Sequence, residues 1–324
     1  MPPVRRRLRL LSLLAVVPLL ALTACGGSDS DASSGAAEPA ASASVVNLGP
    51  DQNRIRAEKV DAIAKLLPPA IAAKGTLTVG TTGDGTPPLS LRATDDKTII
   101  GVEPDLAQLV ADVLGLELNL QATSWENLFL AIKTGQYDVG FSNITVTEER
   151  KEIYDFATYR VDTLAFESLK SKKLKIQKPA DIEGLTVGVS PGTNQAEVLQ
   201  RWDEQNKKEG KKPIKIQYYQ KAADFFLALQ SGRLDTYFGP NPTLAYHVVT
   251  NPTFEIVGNV NGGGEIPAQI AAMTKKGNGL VEAYQAALNE VIQNGKYAEV
   301  LKRWGLTNEA LPKSEVNPQG LPKK

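Results

Sequence analysis

Residues 124–150, SWENLFLAIKTGQYDVGFSNITVTEER, contain a complete helix-and-strand unit. The first half predicts a helix, and residues 138–142 predict a strand. After the strand, Thr145 and Glu148 fit a capping box, which predicts a helix that begins directly at the strand end. A helix N-terminus favours an anion, and Arg150 adds a guanidinium suited to a carboxylate. The stretch therefore indicates an anion-binding loop, with a plain capped surface helix as the alternative.

The alternation of helix and strand continues on both sides of this stretch. Strands are predicted at 77–79, 116–120, 185–189, 214–218 and 234–238, and helices at 106–114, 194–205 and 222–231. Strands alternating with helices indicate mostly parallel sheets that are covered on both faces, and two such blocks predict an α/β chain with two lobes. Ligands bind beyond the carboxyl ends of such strands, so function is expected in the loops there.

Two further loops lie at strand ends. SPGTNQ, residues 190–195, leads from a strand into a helix, so its amides and polar side chains are suited to an anion. A routine turn is the alternative. TTGDGTPP, residues 81–88, is glycine-rich, but it has neither a GK[ST] nor a G-x-G-x-x-G pattern. The absence of both patterns argues against a phosphate loop.

Composition excludes several classes of function. The 324 residues include 36 Lys and Arg against 36 Asp and Glu, one His and one Cys. Formal neutrality argues against nucleic-acid binding. A single cysteine and a single histidine exclude the usual zinc ligand sets, so we expect neither a metal nor a cofactor.

The N-terminus predicts export. Residues 1–24 combine an arginine-rich start with a short apolar stretch, as in a signal peptide. The stretch ends in LTAC, which resembles the bacterial lipoprotein box and implies lipid attachment at Cys25. Export by the general or the twin-arginine route stays open. Residues 25–58 begin with a small, polar tract and are predicted to be a flexible linker. We therefore expect an extracytoplasmic domain that is held at the cell membrane by its lipid alone.

Six segments in order resemble the family 3 extracellular solute-binding proteins, the polar amino-acid receptors of ABC importers. The segments are KGTLTVG, GVEPDLAQLVADVLGL, SWENLFLAIKTGQYDVGFSNITVTEER, IEGLTVGVSPGTNQ, SGRLDTYFGPNP and VIQNGKYAEVLKRWG. The resemblance implies a two-lobed α/β clamp of the type II periplasmic-binding-protein kind, with two hinge-crossing strands. It assigns residues 59–163 and 269–306 to lobe 1, 164–268 to lobe 2 and 307–324 to a polar tail.

The resemblance also implies a ligand site. Arg150 corresponds to the arginine that binds the ligand α-carboxylate, and Thr145 to a residue that offers a hydroxyl and an amide to the same group. Trp125 corresponds to an aromatic wall. The positions implied at the strand end and in the second-lobe loop are Ser142, Asn143, Thr193 and Asn194.

Two positions depart from the family pattern. Thr86 stands where many relatives have an aromatic residue before the Pro-Pro pair. Asn241 stands where many have an aspartate for the ligand α-ammonium, and Asp84 is the candidate substitute. A missing counter-charge is costly when an ammonium is buried. The ligand is therefore either an amino acid held differently or a carboxylate derivative without a free α-amine.

The resemblance implies a monomeric solute receptor that serves an ABC permease and its ATPase, not an enzyme. One alternative is a sensory module of the same fold that reports to a separate partner. Another is an enzyme similar to cyclohexadienyl dehydratase, with Glu103 or Asp84 as a candidate acid or base, although no nucleophile–base pair is identifiable. Tyr159 and Arg160, near the first hinge strand, are candidate cleft residues with a structural role as the alternative.

Overall fold

The computed structural model describes residues 46–83 and 85–323. The strands within them are β1 Thr76–Thr81, β2 Leu91–Arg92, β3 Ile99–Ile100, β4 Glu117–Ala122, β5 Val139–Thr145, β6 Tyr154–Leu169, β7 Thr186–Val189, β8 Lys215–Tyr218, β9 Thr236–Pro240, β10 Phe254–Asn261 and β11 Ala268–Lys275. The α-helices are α1 Asp61–Ala64, α2 Pro69–Lys74, α3 Val102–Leu114, α4 Trp125–Thr134, α5 Asn194–Lys208, α6 Ala222–Gln230, α7 Asn241–Thr250, α8 Leu280–Gln293 and α9 Lys296–Arg303. No helix in this part of the chain is both long and apolar enough to cross a membrane.

Lobe 1 is built on a sheet with the strand order β4-β1-β5-β11-β6. β4, β1 and β5 are parallel, and β11 pairs antiparallel with both β5 and β6. The helically spaced apolar residues of α3, among them Leu106, Leu109 and Val113, are completely buried in the lobe 1 core together with residues of α8 and α9. Gly115, in the left-handed conformation, ends α3.

Lobe 2 is built on a sheet with the strand order β10-β6-β9-β7-β8. β7 is parallel to β8 and β9, whereas β6 is antiparallel to β9 and β10. Aromatic rings fill its core. The Phe166 and Phe238 centroids lie 4.1 Å apart, and the Trp202 ring from α5 lies 5.7 Å from Phe166. Trp202 is therefore a packing residue of the lobe 2 core.

β6 connects the two lobes as one continuous strand. Residues 154–162 pair with β11, and residues 163–169 pair with β10 and β9. The chain returns to lobe 1 where β10 ends and β11 begins. The predicted fold with two hinge-crossing strands is thereby confirmed. The predicted lobe limits, at residues 163/164 and 268/269, lie beside these crossings. That the lobes move apart at these limits stays a prediction.

The segment before the first helix corrects one prediction. Residues 46–58 were expected to be the end of a flexible linker, but they pack on lobe 1. Arg54 Nε lies 3.0 Å from Asp105 Oδ1, and Arg56 Nη2 lies 2.6 Å from Asp112 Oδ1. Ion pairs to α3 therefore hold a stretch whose composition alone favours disorder. The predicted signal peptide, Cys25 and linker residues up to 45 lie outside the described residues.

The C-terminal segment also differs from the expectation of a polar tail. Leu311, Ser314 and Leu321 are buried. Thr158 N donates to Glu315 O at 3.1 Å, and Asn317 N donates to Phe156 O at 2.9 Å. The segment thus runs along the free edge of β6. We call residues 309–323 the C-terminal strap.

Candidate functional site

A cavity of about 260 Å³ lies between the lobes. Lobe 1 lines it with Thr82, Gly85, Thr86, Leu89, Ser90, Glu103, Ser124, Trp125, Glu126, Ser142 and Asn143. Lobe 2 lines it with Ser190, Pro191, Thr193, Asn194, Gln195, Gln220, Lys221, Ala222, Phe225, Tyr237, Phe238, Gly239, Pro240 and Thr243. Most of these residues lie in the ends of parallel strands or directly after them, which is where ligands bind in α/β sheets. The cavity has the size of a small-molecule site and is rich in hydroxyl groups.

The structure places the predicted site residues in three groups. Those that line the cavity are Trp125, Ser142, Asn143, Thr193, Asn194 and Thr86. Those that lie outside its lining are Arg150, Thr145 and Asn241. Asp84 lies outside the described residues. Asn241 is the first residue of α7, and its neighbours Pro240 and Thr243 line the cavity instead.

Arg150 lies outside the cavity lining and contacts Trp125, which is part of that lining. Its Nη1 donates to Thr145 O at 2.7 Å, and its Nη2 donates to Gly192 O at 3.3 Å. Its Cζ is 5.5 Å from the Trp125 ring centroid. Burial lowers the pKa of Arg150, whereas the charges of Glu197 and Asp162 oppose that shift. An arginine stays protonated at neutral pH, and two neutral carbonyls leave its positive charge in place.

The predicted capping box after β5 is wrong. Thr145 is the last residue of β5, and a 3₁₀ helix, Arg150–Glu152, follows instead of an α-helix. The Thr145 hydroxyl donates to Asp162 Oδ2 at 2.8 Å and therefore caps nothing. Thr147, not Thr145, accepts a backbone hydrogen bond in this turn, since its Oγ1 accepts from Arg150 N at 3.1 Å.

Asp162 connects predicted site residues of both lobes at the hinge. Its Oδ2 accepts from Thr145 and, at 2.9 Å, from Asn194 Nδ2. The same Asn194 nitrogen donates to Gly262 O at 2.7 Å. Burial raises the pKa of Asp162, opposed by the hydrogen bonds from Thr145 and Asn194 and by the charge of Arg160. The polar groups expected to meet a ligand from Thr145 and Asn194 thus bind the hinge carboxylate.

A buried ionic cluster lies directly behind the cavity. Arg160 Nη2 donates to Glu103 Oε1 at 2.8 Å and to Asn143 Oδ1 at 2.6 Å, and Arg160 Nη1 pairs with Glu309 from the C-terminal strap. The other Glu103 oxygen accepts from Tyr159. Arg160 and Tyr159 therefore act on the cleft through Glu103 and Asn143, which line it. Both Glu103 oxygens have donors, so this carboxylate is a poor candidate for an acid or base.

Hydrogen bonds cross the cleft between the two lobes. The Gly192 carbonyl accepts from Arg150 and, at 3.2 Å, from Trp125 Nε1. Gln220 Nε2 donates to Glu126 Oε1 at 3.2 Å. Thr193, in the predicted strand-to-helix loop, caps α5, with its hydroxyl accepting from Ala196 N. The loop that follows β7 thereby meets the loop that precedes α4.

Sequence reasoning missed three contributors to the site. Asp162 and Glu309 are the buried carboxylates described above, and Tyr237 lines the cavity from β9, with its hydroxyl 3.0 Å from Ser190 Oγ. The available signal for Asp162 is that Arg160 and Asp162 interrupt an apolar strand, since charges inside a buried strand are paired. Within residues 46–83 and 85–323, no group of three or more His, Cys, Asp or Glu is placed to hold a metal ion.

The two lobes, the shared strand and the polar cavity between them define a two-lobed solute-binding protein. A family model for the bacterial extracellular solute-binding proteins, family 3, matches residues 77–307. The chain belongs to this family. The resemblance of its six segments is thereby confirmed.

Several relatives of this chain are named as amino-acid-binding proteins. The arginine-binding protein ArgT of Corynebacterium glutamicum is 29% identical over 266 residues, which cover 82% of this chain and 85% of that protein. The L-cystine-binding protein TcyJ of Escherichia coli K12 is 29% identical and covers 71% and 83%. A solved structure of an ancestral arginine-binding protein bound to arginine is 28% identical, with a TM-score of 0.62, and covers 71% of this chain and 98% of that one.

Proposed function

We propose that this chain is the lipid-anchored, extracytoplasmic solute-binding component of an ABC importer. In this role it captures an amino acid or a related carboxylate between its lobes and delivers it to the permease. Membership of family 3 and the amino-acid-binding relatives support the binding role. The single observation that carries the ligand class is the position of the Arg150 guanidinium at the meeting point of the two lobes.

Arg150 carries a positive charge and also forms a contact between the two lobes. It hydrogen-bonds the carbonyl of Thr145 in lobe 1 and that of Gly192 in lobe 2. A ligand carboxylate that binds the guanidinium interacts more favourably with the closed arrangement than with separated lobes, and such differential binding drives closure. The Trp125 ring beside the guanidinium supplies an apolar wall for the rest of the solute.

The second half of the site points away from a conventional α-ammonium pocket. The carboxylates among the described lining residues are Glu103 and Glu126. Glu103 is bonded through both oxygens, and Glu126 accepts from Gln220. Asn241 is a neutral residue outside the lining. We therefore propose that specificity favours a carboxylate whose nitrogen, if any, is neutral or lies at the Glu126 side of the mouth.

The test is a thermal-shift and calorimetric screen of the purified protein against amino acids, N-acylated amino acids and simple carboxylates. A ligand at 100 times its Kd adds about 2.7 kcal/mol of stability, which gives a readily measured rise in Tm. Arg150→Ala is expected to weaken the hit by about 2–5 kcal/mol, because the ligand charge is left unpaired. Arg233→Ala, an exposed arginine of lobe 2, is the matched control.

The outcomes separate the alternatives. A hit that both variants bind equally refutes the role of Arg150. A standard amino acid that outranks all amine-free carboxylates refutes the proposed specificity but keeps the receptor. For the anchor, Cys25→Ser is expected to move the protein from the membrane fraction into the soluble exported fraction, and unchanged membrane association would count against lipidation.

A further inference from the structure

We infer that the C-terminal strap is a positioning element that fixes the backbone carrying Arg150. The family match ends at residue 307, so the strap lies beyond it. The inference rests on the proposed function, because the arginine that the strap supports is the proposed ligand-binding residue. The effect of the strap on the position of the Arg150 backbone can be tested without a ligand.

The end of the strap pairs with the residues just before Arg150. Leu321 N donates to Val146 O at 3.0 Å, and Glu148 N donates to Leu321 O at 2.8 Å. Gly320 N donates to Glu148 Oε1 at 2.8 Å. Three hydrogen bonds therefore join the strap to a segment of three residues.

The turn held in this way leads directly into Arg150. Thr147 Oγ1 accepts from Arg150 N, and Thr147 O accepts from Lys151 N at 3.0 Å. The Arg150 guanidinium folds back onto Thr145 O, so both ends of this side chain depend on the 145–150 backbone. A shift of that backbone displaces the guanidinium from Gly192 as well.

Gly320 shows how closely the strap approaches. A Cβ added at this glycine would lie 2.9 Å from the Thr147 Cα and 3.1 Å from Glu148 N. Backbone atoms cannot yield as a flexible side chain does, so a side chain here must push the strap and the turn apart. Lys151 Nζ adds a hydrogen bond to Pro318 O at 2.9 Å on the other side of the turn.

The rest of the strap is anchored to β6, which makes it a firm support. Glu315 N donates to Thr158 Oγ1 at 2.9 Å, and Phe156 N donates to Asn317 Oδ1 at 2.9 Å. Glu309, at the other end, is buried against Arg160. The strap therefore fixes the position of the turn before Arg150 relative to β6, the hinge strand. A binding group needs such a second layer of support to hold its geometry to within a fraction of an ångström.

The experiment compares Gly320→Val with Gln319→Ala in the full-length chain. Gln319 is the exposed neighbour of Gly320 and serves as the matched control. A deletion of residues 319–324 is the second strap variant, in case Gly320→Val does not fold. The ligand-free readout is the rate at which phenylglyoxal modifies Arg150, followed by mass spectrometry, with Arg233 as the internal reference. N-acetyl-L-arginine, a carboxylate without a free α-amine as the proposed specificity requires, is then titrated calorimetrically as the binding probe.

We expect Arg150 to react several-fold faster in both strap variants than in Gln319→Ala, with the Arg233 rate unchanged. We expect the Kd for N-acetyl-L-arginine to rise about tenfold in the strap variants only. Equal Arg150 reactivity in all proteins overturns the inference, whatever the binding result. If the unaltered protein gives no heat with N-acetyl-L-arginine, that result bears on the proposed ligand, and the reactivity of Arg150 alone decides the role of the strap.

Discussion

Glu309 is expected to make the stability of this protein depend on pH, and Glu309→Gln is the perturbation that isolates the effect. The Glu309 side chain is buried, bonded to Arg160 and Thr163, and close to the charge of Asp162. Glu103 and Glu309 thus both pair with the Arg160 guanidinium, and the nearby charge of Asp162 acts on Glu309. Burial raises the pKa of Glu309 from 4.5 to about 7, although Arg160 opposes the shift.

The sign follows from the raised pKa. Between pH 4.5 and about 7 the folded state holds a proton on Glu309 that the unfolded chain has released. Stability from this group is therefore complete below pH 4.5 and is lost as the pH rises through about 7. At 1.36 kcal/mol per pKa unit, the loss is at most about 3 kcal/mol. Glutamine mimics the protonated acid and cannot ionise.

The assay is urea unfolding, followed by circular dichroism, at pH 5 and pH 8 for the unaltered chain and Glu309→Gln. The unaltered chain is expected to lose up to about 3 kcal/mol more of its free energy of unfolding between these two pH values than the variant does. Asp162, Asp105 and Glu167 also have raised pKa values, so only the difference between the two proteins reports on Glu309. The same pH dependence in both proteins would refute the reasoning.

Three further substitutions test packing and buried polarity by urea unfolding. Trp202→Ala removes a ring that is 6% exposed in the lobe 2 core and is expected to cost about 3–5 kcal/mol, and a loss below 1 kcal/mol would contradict that core role. His247→Leu leaves the buried Glu167 carboxylate without its imidazole partner, at an expected cost of about 1–3 kcal/mol at pH 7, and unchanged stability would show that the pair is dispensable. Gly80→Ala puts a Cβ 2.7 Å from Leu128 Cδ1, so overpacking is expected to lower the free energy of unfolding by about 1–3 kcal/mol. A more stable variant would contradict the close approach.

The fold was predictable because its elements carry their own periodicity. The apolar residues of α3 repeat at helical spacing and are buried together. The strands predicted at 185–189 and 214–218 are found as β7 Thr186–Val189 and β8 Lys215–Tyr218. Each of these features depends on local sequence, which one chain is enough to reveal.

The parts of the site that were not predicted depend on partners distant in sequence. Thr145 and Glu148 satisfied the local rule for a cap, but the Thr145 hydroxyl binds Asp162, seventeen positions away. Glu309 reaches Arg160 across 149 positions from a segment whose composition is that of a tail. Hydrogen bonds of this kind replace the local ones, and spacing does not reveal them.

β6 also determines the order in which the lobes can be completed. All the strands of lobe 2 lie within residues 163–261, one uninterrupted stretch of chain. Lobe 1 lacks β11, the strand between β5 and β6, until residue 275 is present, and it lacks its strap until residues 309–323 are present. Synthesis from the N-terminus therefore supplies every strand of the second lobe before the first lobe can close. During that interval β5 and β6 present unpaired edges, the kind of surface on which another chain can add a strand.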